Sequence, residues 1–191
     1  RVIKSATTSF DHVVGTYHVH PFSMPGATFV PLDISSRQQV QELFRQVRPT
    51  VVVHCAAIVN ADFCETNPEE SGKTNVQGSR HVFEEAARHG AKVAFMSSSY
   101  VFDGTRGPYT EEDTPTPINR YGEMKLQAER MLQSITDDSL VVRTTVLYGW
   151  NVGPQRLNFV TWLIDQLGAQ KPLSIVTDQT ATPTYAWDTA R

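Results

Sequence analysis

A doubly wound α/β fold with a parallel sheet is predicted by three observations. Short β-branched runs alternate with amphipathic helical stretches along nearly the whole chain. The run Thr50-Val51-Val52-Val53-His54 is uninterruptedly apolar, the pattern of a strand buried on both faces of a parallel sheet. No internal repeat, linker or low-complexity segment breaks the alternation, so one domain body covering residues 1–191 is expected.

The elements follow in order. Residues 12–17 and 27–32 read as strands, and Ser36 can cap a helix whose apolar positions are Val40, Leu43 and Phe44, with Asp33 just upstream. After the valine-rich strand, residues 68–90 form a long helical stretch. Val76, Val82, Phe83, Ala86 and Ala87 supply its apolar positions and Gly90 its stop. A strand over 92–97, a Gly/Pro-rich loop and a helix through Tyr121 come next. A strand over 140–144, a helix over 159–167 and a short strand over 173–176 complete the reading, and the last residues, 185–191, look like the start of a helix.

Composition narrows the function. The 191 residues are 40% hydrophobic and 19% charged, with a net charge of −3. That balance is ordinary for a soluble globular protein and leaves no basic footprint for nucleic acid or an anionic membrane. No apolar run approaches the roughly 20 residues that span a bilayer, and the opening residues lack the apolar segment of a signal peptide. Cys55 and Cys64 make neither a disulfide framework nor a metal-finger spacing, so a reducing, cytoplasmic setting is expected. Cys55 reads as a small buried residue and Cys64 as a surface or helix-start residue.

Ligands of such sheets bind at the carboxyl ends of the strands. There the sequence places His18-Val19-His20, then Asp33 and Ile34, then Cys55, Ala56 and Ala57, then Ser98 and Ser99, then Tyr148 and Gly149. The small residues after the third strand would let a flat ligand approach the backbone. Further on, Tyr121 and Lys125 stand four residues apart, which on a helix brings phenol and ammonium to nearly one azimuth. Met124, Ala128 and Leu132 share that half-circle, while Glu123, Gln127 and Arg130 fall opposite. A cation held beside a tyrosine favours phenolate, so the spacing predicts a lowered tyrosine pKa. A lysine snorkelling at the edge of a packed face fits the same spacing. With Ser98 added, the three form an acid/base set suited to a carbonyl or carbinol.

Ser97-Ser98-Ser99-Tyr100-Val101-Phe102-Asp103-Gly104, followed by Pro117-Ile118-Asn119-Arg120-Tyr121-Gly122-Glu123-Met124-Lys125, resembles the extended short-chain dehydrogenase/reductase family. More narrowly, it resembles the dTDP-4-dehydrorhamnose reductase branch, which also contains the regulatory beta subunit of methionine adenosyltransferase. Val53-His54-Cys55-Ala56-Ala57, Asp178-Gln179 and Pro183-Thr184 match that branch too. The resemblance implies a Rossmann-like fold and an NAD(P)H-dependent reductase of a 4-keto sugar nucleotide. In it Tyr121 donates the proton, Lys125 holds the nicotinamide ribose and Ser98 orients the carbonyl. It also implies cofactor contacts from His18, Asp33, Ile34, Cys55, Ala56, Ala57 and Asn75. Substrate contacts would come from Ser99, Tyr100, Val101, Phe102 and Val146, with small substrate-side elements in 150–185. For Asn75 a role in bridging backbone is an equal alternative.

The family pattern places a strand and a Gly-x-x-Gly-x-x-Gly turn ahead of the position of Arg1. The chain is therefore expected to start inside the first helix and to be incomplete at both ends; a chain that never binds dinucleotide is the competing reading. His18-Val19-His20 contains no acid for ribose hydroxyls, which favours NADPH while leaving NADH open. A metal site at His18 and His20 would need further ligands, and none is evident. Three positions depart from the reductase branch: Ser99 where aspartate is usual, Val146 where tryptophan is common, and Glu123 where many carry lysine. The first two separate this chain from dTDP-4-dehydrorhamnose as the specific substrate.

The loop from Gly104 to Asn119 spans about 16 residues, above the usual range, and could serve as a substrate lid or positioning segment. Its acids Glu111, Glu112 and Asp113 read as solvated. A non-catalytic regulatory or binding subunit of the same fold is the second function class. An epimerase or dehydratase ranks third, because no Asp-Glu pair lies near Ser99 and Tyr100. No nucleic-acid or membrane partner is expected, and a homodimer is an open assembly state.

Overall fold

The structure, a computed structural model, describes residues 1–150 and 158–191. In chain order the elements are α1 (Val2–Ala6), β1 (Val14–Tyr17), β2 (Thr28–Pro31), α2 (Arg37–Val47), β3 (Val51–His54), α3 (Ala61–Thr66) and α4 (Pro68–Gly72). A π-turn (Lys73–Gly78) leads into α5 (Ser79–Arg88), β4 (Lys92–Ser98) and α6 (Arg120–Ile135). Then come β5 (Ser139–Thr144), β6 (Leu147–Tyr148), α7 (Phe159–Gly168), β7 (Thr184–Tyr185) and α8 (Ala186–Thr189). They divide into two compact units, one of residues 12–143 and one of residues 1–11 with 144–191.

In the larger unit β1 pairs with β2 in parallel, and β4 lies between β3 and β5, parallel to β3. Local chemistry sets the helix starts. The Ser36 side chain accepts from Gln39 N–H at the head of α2, and Asn119 accepts from Gly122 N–H, 2.8 Å away, at the head of α6. At Gly90 the backbone turns left-handed (φ +66°), which ends the helical stretch. Val40 and Phe44 of α2, Val82, Phe83 and Ala86 of α5, and Ala128, Met131 and Leu132 of α6 close over Val93 and Phe95 of β4 to form the core.

Three expectations change here. Val51 and Val53, predicted to be buried, are 39% and 42% exposed; only the alternate face of β3 meets the core helices of this unit. Residues 68–90 are not one regular helix, because the wider π-turn interrupts it between α4 and α5. Among the described residues, 173–176 form no strand, and Ile175 and Val176 stay exposed without a strand neighbour.

The smaller unit contributes α1 and the short parallel pair β6–β7. It also holds α7, capped where Asn158 accepts from Thr161 N–H, and α8 at the chain's end. Within the predicted substrate-side stretch 150–185, residues 151–157 lie outside the described residues.

Candidate active site

The Tyr121/Lys125 half of α6 is buried, as the helical wheel requires: Tyr121 is 6% and Lys125 4% exposed. Two features bring α6 to the end of β4. Asn119 starts the helix, and Gly122 removes the side chain that would otherwise meet the Tyr100 backbone. Ser98, the last residue of β4 and 8% exposed, hydrogen-bonds the Tyr121 phenol. Its Oγ also accepts from Tyr100 N–H at 3.3 Å, fixing the short turn that follows the strand. The Tyr100 ring meets that of Tyr121 edge-on, centroids 5.8 Å apart. Ser98 and the Tyr121/Lys125 pair, well separated in sequence, thus gather at one strand end.

Electrostatics overturn one expectation. Burial pushes the Tyr121 phenol up to about 12, and the Ser98 hydrogen bond offsets only part of that rise. Lys125 does not lower it, because the ammonium is directed elsewhere. Its Nζ donates to the Met96 carbonyl at 2.8 Å and lies 4.7 Å from the Phe95 ring centre, against 5.9 Å for the Tyr121 ring. Burial in turn brings Lys125 down to about 8. The phenol is therefore a protonated acid through the neutral range, and the lysine is a cation that sheds its proton easily.

Asn75 sits on the π-turn and is 2% exposed. Its Oδ1 accepts from Ile58 N–H (2.8 Å) and its Nδ2 donates to the Ile58 carbonyl (2.9 Å), so one amide clamps the loop leaving β3. Cys55, Ala56 and Ala57 lie on that loop. Cys55 is exposed, not buried, which reverses its sequence reading; Cys64 does lie in the first turn of α3, but it is wholly buried and not on the surface. Behind the loop, His54 is buried with Nε2 3.0 Å from Ser79 Oγ. That hydroxyl donates to the Asn75 carbonyl at 2.7 Å, so β3 and the π-turn are tied together.

The remaining predicted residues divide by exposure. His18 is exposed beyond β1, and its charge helps hold the Asp33 carboxyl down, after the larger effect of the Ser35 hydroxyl bonded to it. Ile34 belongs to the core, where its carbonyl accepts from His81 Nδ1 (3.0 Å) and its side chain fills the space over Gly78. Val101 is wholly buried, so its side chain packs inside and leaves the exposed surface of this turn to Tyr100. Ser99 and Phe102 are half-buried. Val146 belongs to the smaller unit, 42% exposed and with φ +31°, a strained conformation for a β-branched residue.

The loop after β4 is a folded knot, not a solvated strap. Asp103 Oδ1 accepts from the Tyr109 hydroxyl (2.6 Å), Thr105 N–H and the Thr105 hydroxyl, and Oδ2 accepts from Thr116. Asp113 accepts from Thr110 and pairs with Arg106, so solvation is the wrong description of this acid. Phe102 stacks on Tyr109 with centroids 4.4 Å apart.

Sequence reasoning missed the buried carboxylate of α6. Glu129, 2% exposed, accepts from the Ser97 hydroxyl and from Arg143, whose guanidinium also lies 5.2 Å from the Phe102 ring centre. Its position one turn beyond Lys125 on the same helix was the available signal. Two open depressions, of about 460 and 370 Å³, are lined by residues 22–29 and by parts of α4, the π-turn and α6. Neither is lined by Ser98, Tyr121 or Lys125. Among the described residues no helix is long and apolar enough to cross a membrane.

A Rossmann-like sheet with a Ser–Tyr–Lys set at a strand end defines the class: an extended short-chain dehydrogenase/reductase-like protein. The chain belongs to the RmlD substrate binding domain family, whose model matches residues 8–191. It is 36% identical to a methionine adenosyltransferase 2 subunit beta of Xenopus tropicalis, over 94% of this chain and 52% of that protein. It is 32% identical to a dTDP-4-dehydrorhamnose reductase of Aggregatibacter actinomycetemcomitans, over 85% of this chain and 54% of that protein. A crystal structure of dTDP-4-dehydrorhamnose reductase from Bacillus anthracis str. Ames in complex with NADP is also similar. There the TM-score is 0.79 at 34% identity, covering 86% of this chain and 59% of that one. The chain thus spans about half the length of these curated relatives.

Proposed function

We propose that the protein containing this chain is an NAD(P)H-dependent reductase of a 4-keto sugar nucleotide. The observation that carries the reading is the buried Ser98–Tyr121–Lys125 set, with its phenol held protonated and hydrogen-bonded to Ser98. An acid that stays protonated near neutrality suits donation to a carbonyl oxygen that gains charge during reduction. Ser98 would hold that oxygen and Tyr121 would deliver the proton, while Lys125, as the family resemblance implies, would hold the nicotinamide ribose.

The residues present fit a dinucleotide. The exposed Cys55-Ala56 backbone presents no large side chain, the Asn75 amide holds its loop in place, and Lys125 stands behind it. NADPH is the favoured form, since His18 stands beyond β1 where an NAD-binding acid would be expected. When bound, the nicotinamide supplies the hydride. Ser99, Tyr100 and Phe102 are the substrate-side candidates of the larger unit, Val146 is a candidate on the resemblance alone, and the Ser99 and Val146 departures point to a sugar other than dTDP-4-dehydrorhamnose. We place the protein in the cytoplasm and treat 1–191 as part of one dinucleotide-binding body.

The deciding experiment incubates the full-length protein with NADPH and a panel of dTDP- and UDP-4-keto sugars, following loss of nicotinamide absorbance. Turnover of any member supports the reading. NADPH binding by calorimetry without turnover of any of them favours the second reading, a regulatory subunit, which the 36% identity to a methionine adenosyltransferase beta subunit supports. Failure to bind dinucleotide at all would sink the reductase proposal.

A further inference from the structure

Tyr121 is the second residue of α6, in the turn where a helix frays. Lys125 lies one turn further in, where the helix holds itself through its own hydrogen bonds. A proton donor at a fraying end needs ties from outside the helix, and two side chains supply them. Asn119 accepts from Gly122 N–H at 2.8 Å, and Glu65 Oε1 accepts from Arg120 N–H at 2.6 Å. The first bond is local. The second comes from α3, 55 residues back along the chain, and lands on the amide directly before Tyr121.

The base from which Glu65 reaches is fixed. Its neighbour Cys64 is wholly buried, with Sγ 3.6 Å from the Ile58 carbonyl and 3.9 Å from Asn75 Nδ2. The same Nδ2 lies 3.9 Å from Met124 Sδ on α6. At its other end α3 is started by Asn60, which accepts from Phe63 N–H at 2.9 Å. Thus α3 meets α6 at two points: underneath, through the Asn75 amide to Met124, and at the helix end, through Glu65. The lower contact is packing around a buried amide; the upper one is a single directed bond. A carboxylate there also faces the positive end of the helix dipole. The Arg120 guanidinium pairs with Glu123 at 3.1 Å, and Glu65 with the Arg120 backbone.

We propose that Glu65 is a positioning residue for Tyr121: from α3 it pins the first amide of α6 and so holds the phenol against Ser98. What it supplies is reach, more than charge. Glu65 and Arg120 are both exposed, so loss of the bond returns an amide to water and spares the core, while the first turn of α6 loosens. Only the turnover part of the test below rests on the reductase reading.

The test reads the amide and the phenol directly. Full-length protein is labelled with ¹⁵N-arginine and with tyrosine carrying ¹³C at Cζ; Arg120→Lys and Tyr121→Phe identify the two NMR signals. In Glu65→Ala the Arg120 amide is expected to exchange with solvent about fivefold faster than in wild type. The Tyr121 Cζ signal is expected to move, because the phenol no longer meets the Ser98 hydroxyl in the same way. Glu65→Gln keeps an acceptor at the same reach, and both signals are expected to stay near wild type. Glu65→Asp keeps the charge but ends one methylene short, and is expected to behave as Glu65→Ala; it replaces the alanine variant should that fail to fold. A Tyr121 signal unmoved in Glu65→Ala overturns the proposal. So does an aspartate variant that matches wild type, or a glutamine variant that matches alanine.

If turnover is found, Glu65→Ala is expected to lower kcat about tenfold, with NADPH affinity unchanged because Lys125 lies beyond the loosened turn. A kcat equal to wild type while the Tyr121 signal moves overturns the positioning role. A moved Tyr121 signal in a protein that turns over no keto sugar leaves the Glu65 assignment standing and removes the reductase reading.

Discussion

Gly122 lies against the Tyr100 carbonyl so closely that a β-carbon on Gly122 would stand 2.1 Å from that oxygen. This contact sets how near the Tyr121 helix comes to the turn after β4, and so whether the phenol meets Ser98. An alanine normally favours a helix interior over glycine by about 1 kcal/mol. Here the neighbour is backbone and cannot swing aside. Gly122→Ala is therefore expected to destabilise the protein by about 1–3 kcal/mol and to lower turnover by displacing Tyr100 from Tyr121. Urea unfolding checks it, and an alanine variant as stable as wild type would contradict the close approach.

Tyr121→Phe tests the proton donor. Loss of the acid is expected to lower kcat by roughly 10²- to 10⁴-fold. The ring still fills its site against Tyr100, so NADPH affinity measured by calorimetry should be little changed. Turnover equal to wild type would remove Tyr121 from the chemistry.

Lys125 sets function against stability. Its folded value of about 8 lies below the ordinary 10.5, so burial opposes the charged form. Below pH 8 that cost is fully present. Between 8 and 10.5 the folded state sheds its proton first, and stability rises with pH. At pH 7, Lys125→Met is expected to stabilise the fold by on the order of 1–3 kcal/mol while abolishing turnover. Thermal unfolding at pH 7 and pH 10 reads this directly: the advantage of the methionine variant should shrink at the higher pH.

His54 gives the acid limb. Its folded value, about 3, lies below the ordinary 6.5 because burial disfavours imidazolium. The unfolded chain binds the proton first as pH falls, so the contribution is complete above 6.5 and is lost progressively from there down toward 3. By pH 4.5 the loss should reach about 2–3 kcal/mol. His54→Gln, which can still bond Ser79, is expected to flatten the stability profile between pH 7 and 4.5. A profile as steep as wild type would assign acid sensitivity to other groups.

Much of the strand–helix order was legible in the sequence, because local signals act locally. Ser36 and Asn119 cap the helices that follow them, Gly90 stops one, and the Tyr121–Lys125 spacing marks the buried side of α6. The reading failed where a residue's fate depends on distant neighbours. The 173–176 run has β propensity, yet no described strand lies beside it. Cys64 is buried because α3 folds back under Asn75, an arrangement that leaves no periodic trace in the sequence.

The sequence alone determined the fold class, the family and the identity of the three gathered side chains. Periodicity, caps and short motifs are properties of neighbouring residues and survive without knowledge of the fold. Only the tertiary structure decided how those groups behave. It raised the Tyr121 phenol instead of lowering it, turned Lys125 toward Met96, and buried Glu129 between Ser97 and Arg143. These outcomes depend on desolvation and on which carbonyl or ring comes within reach, and both are fixed only when β4, β5 and α6 close upon one another.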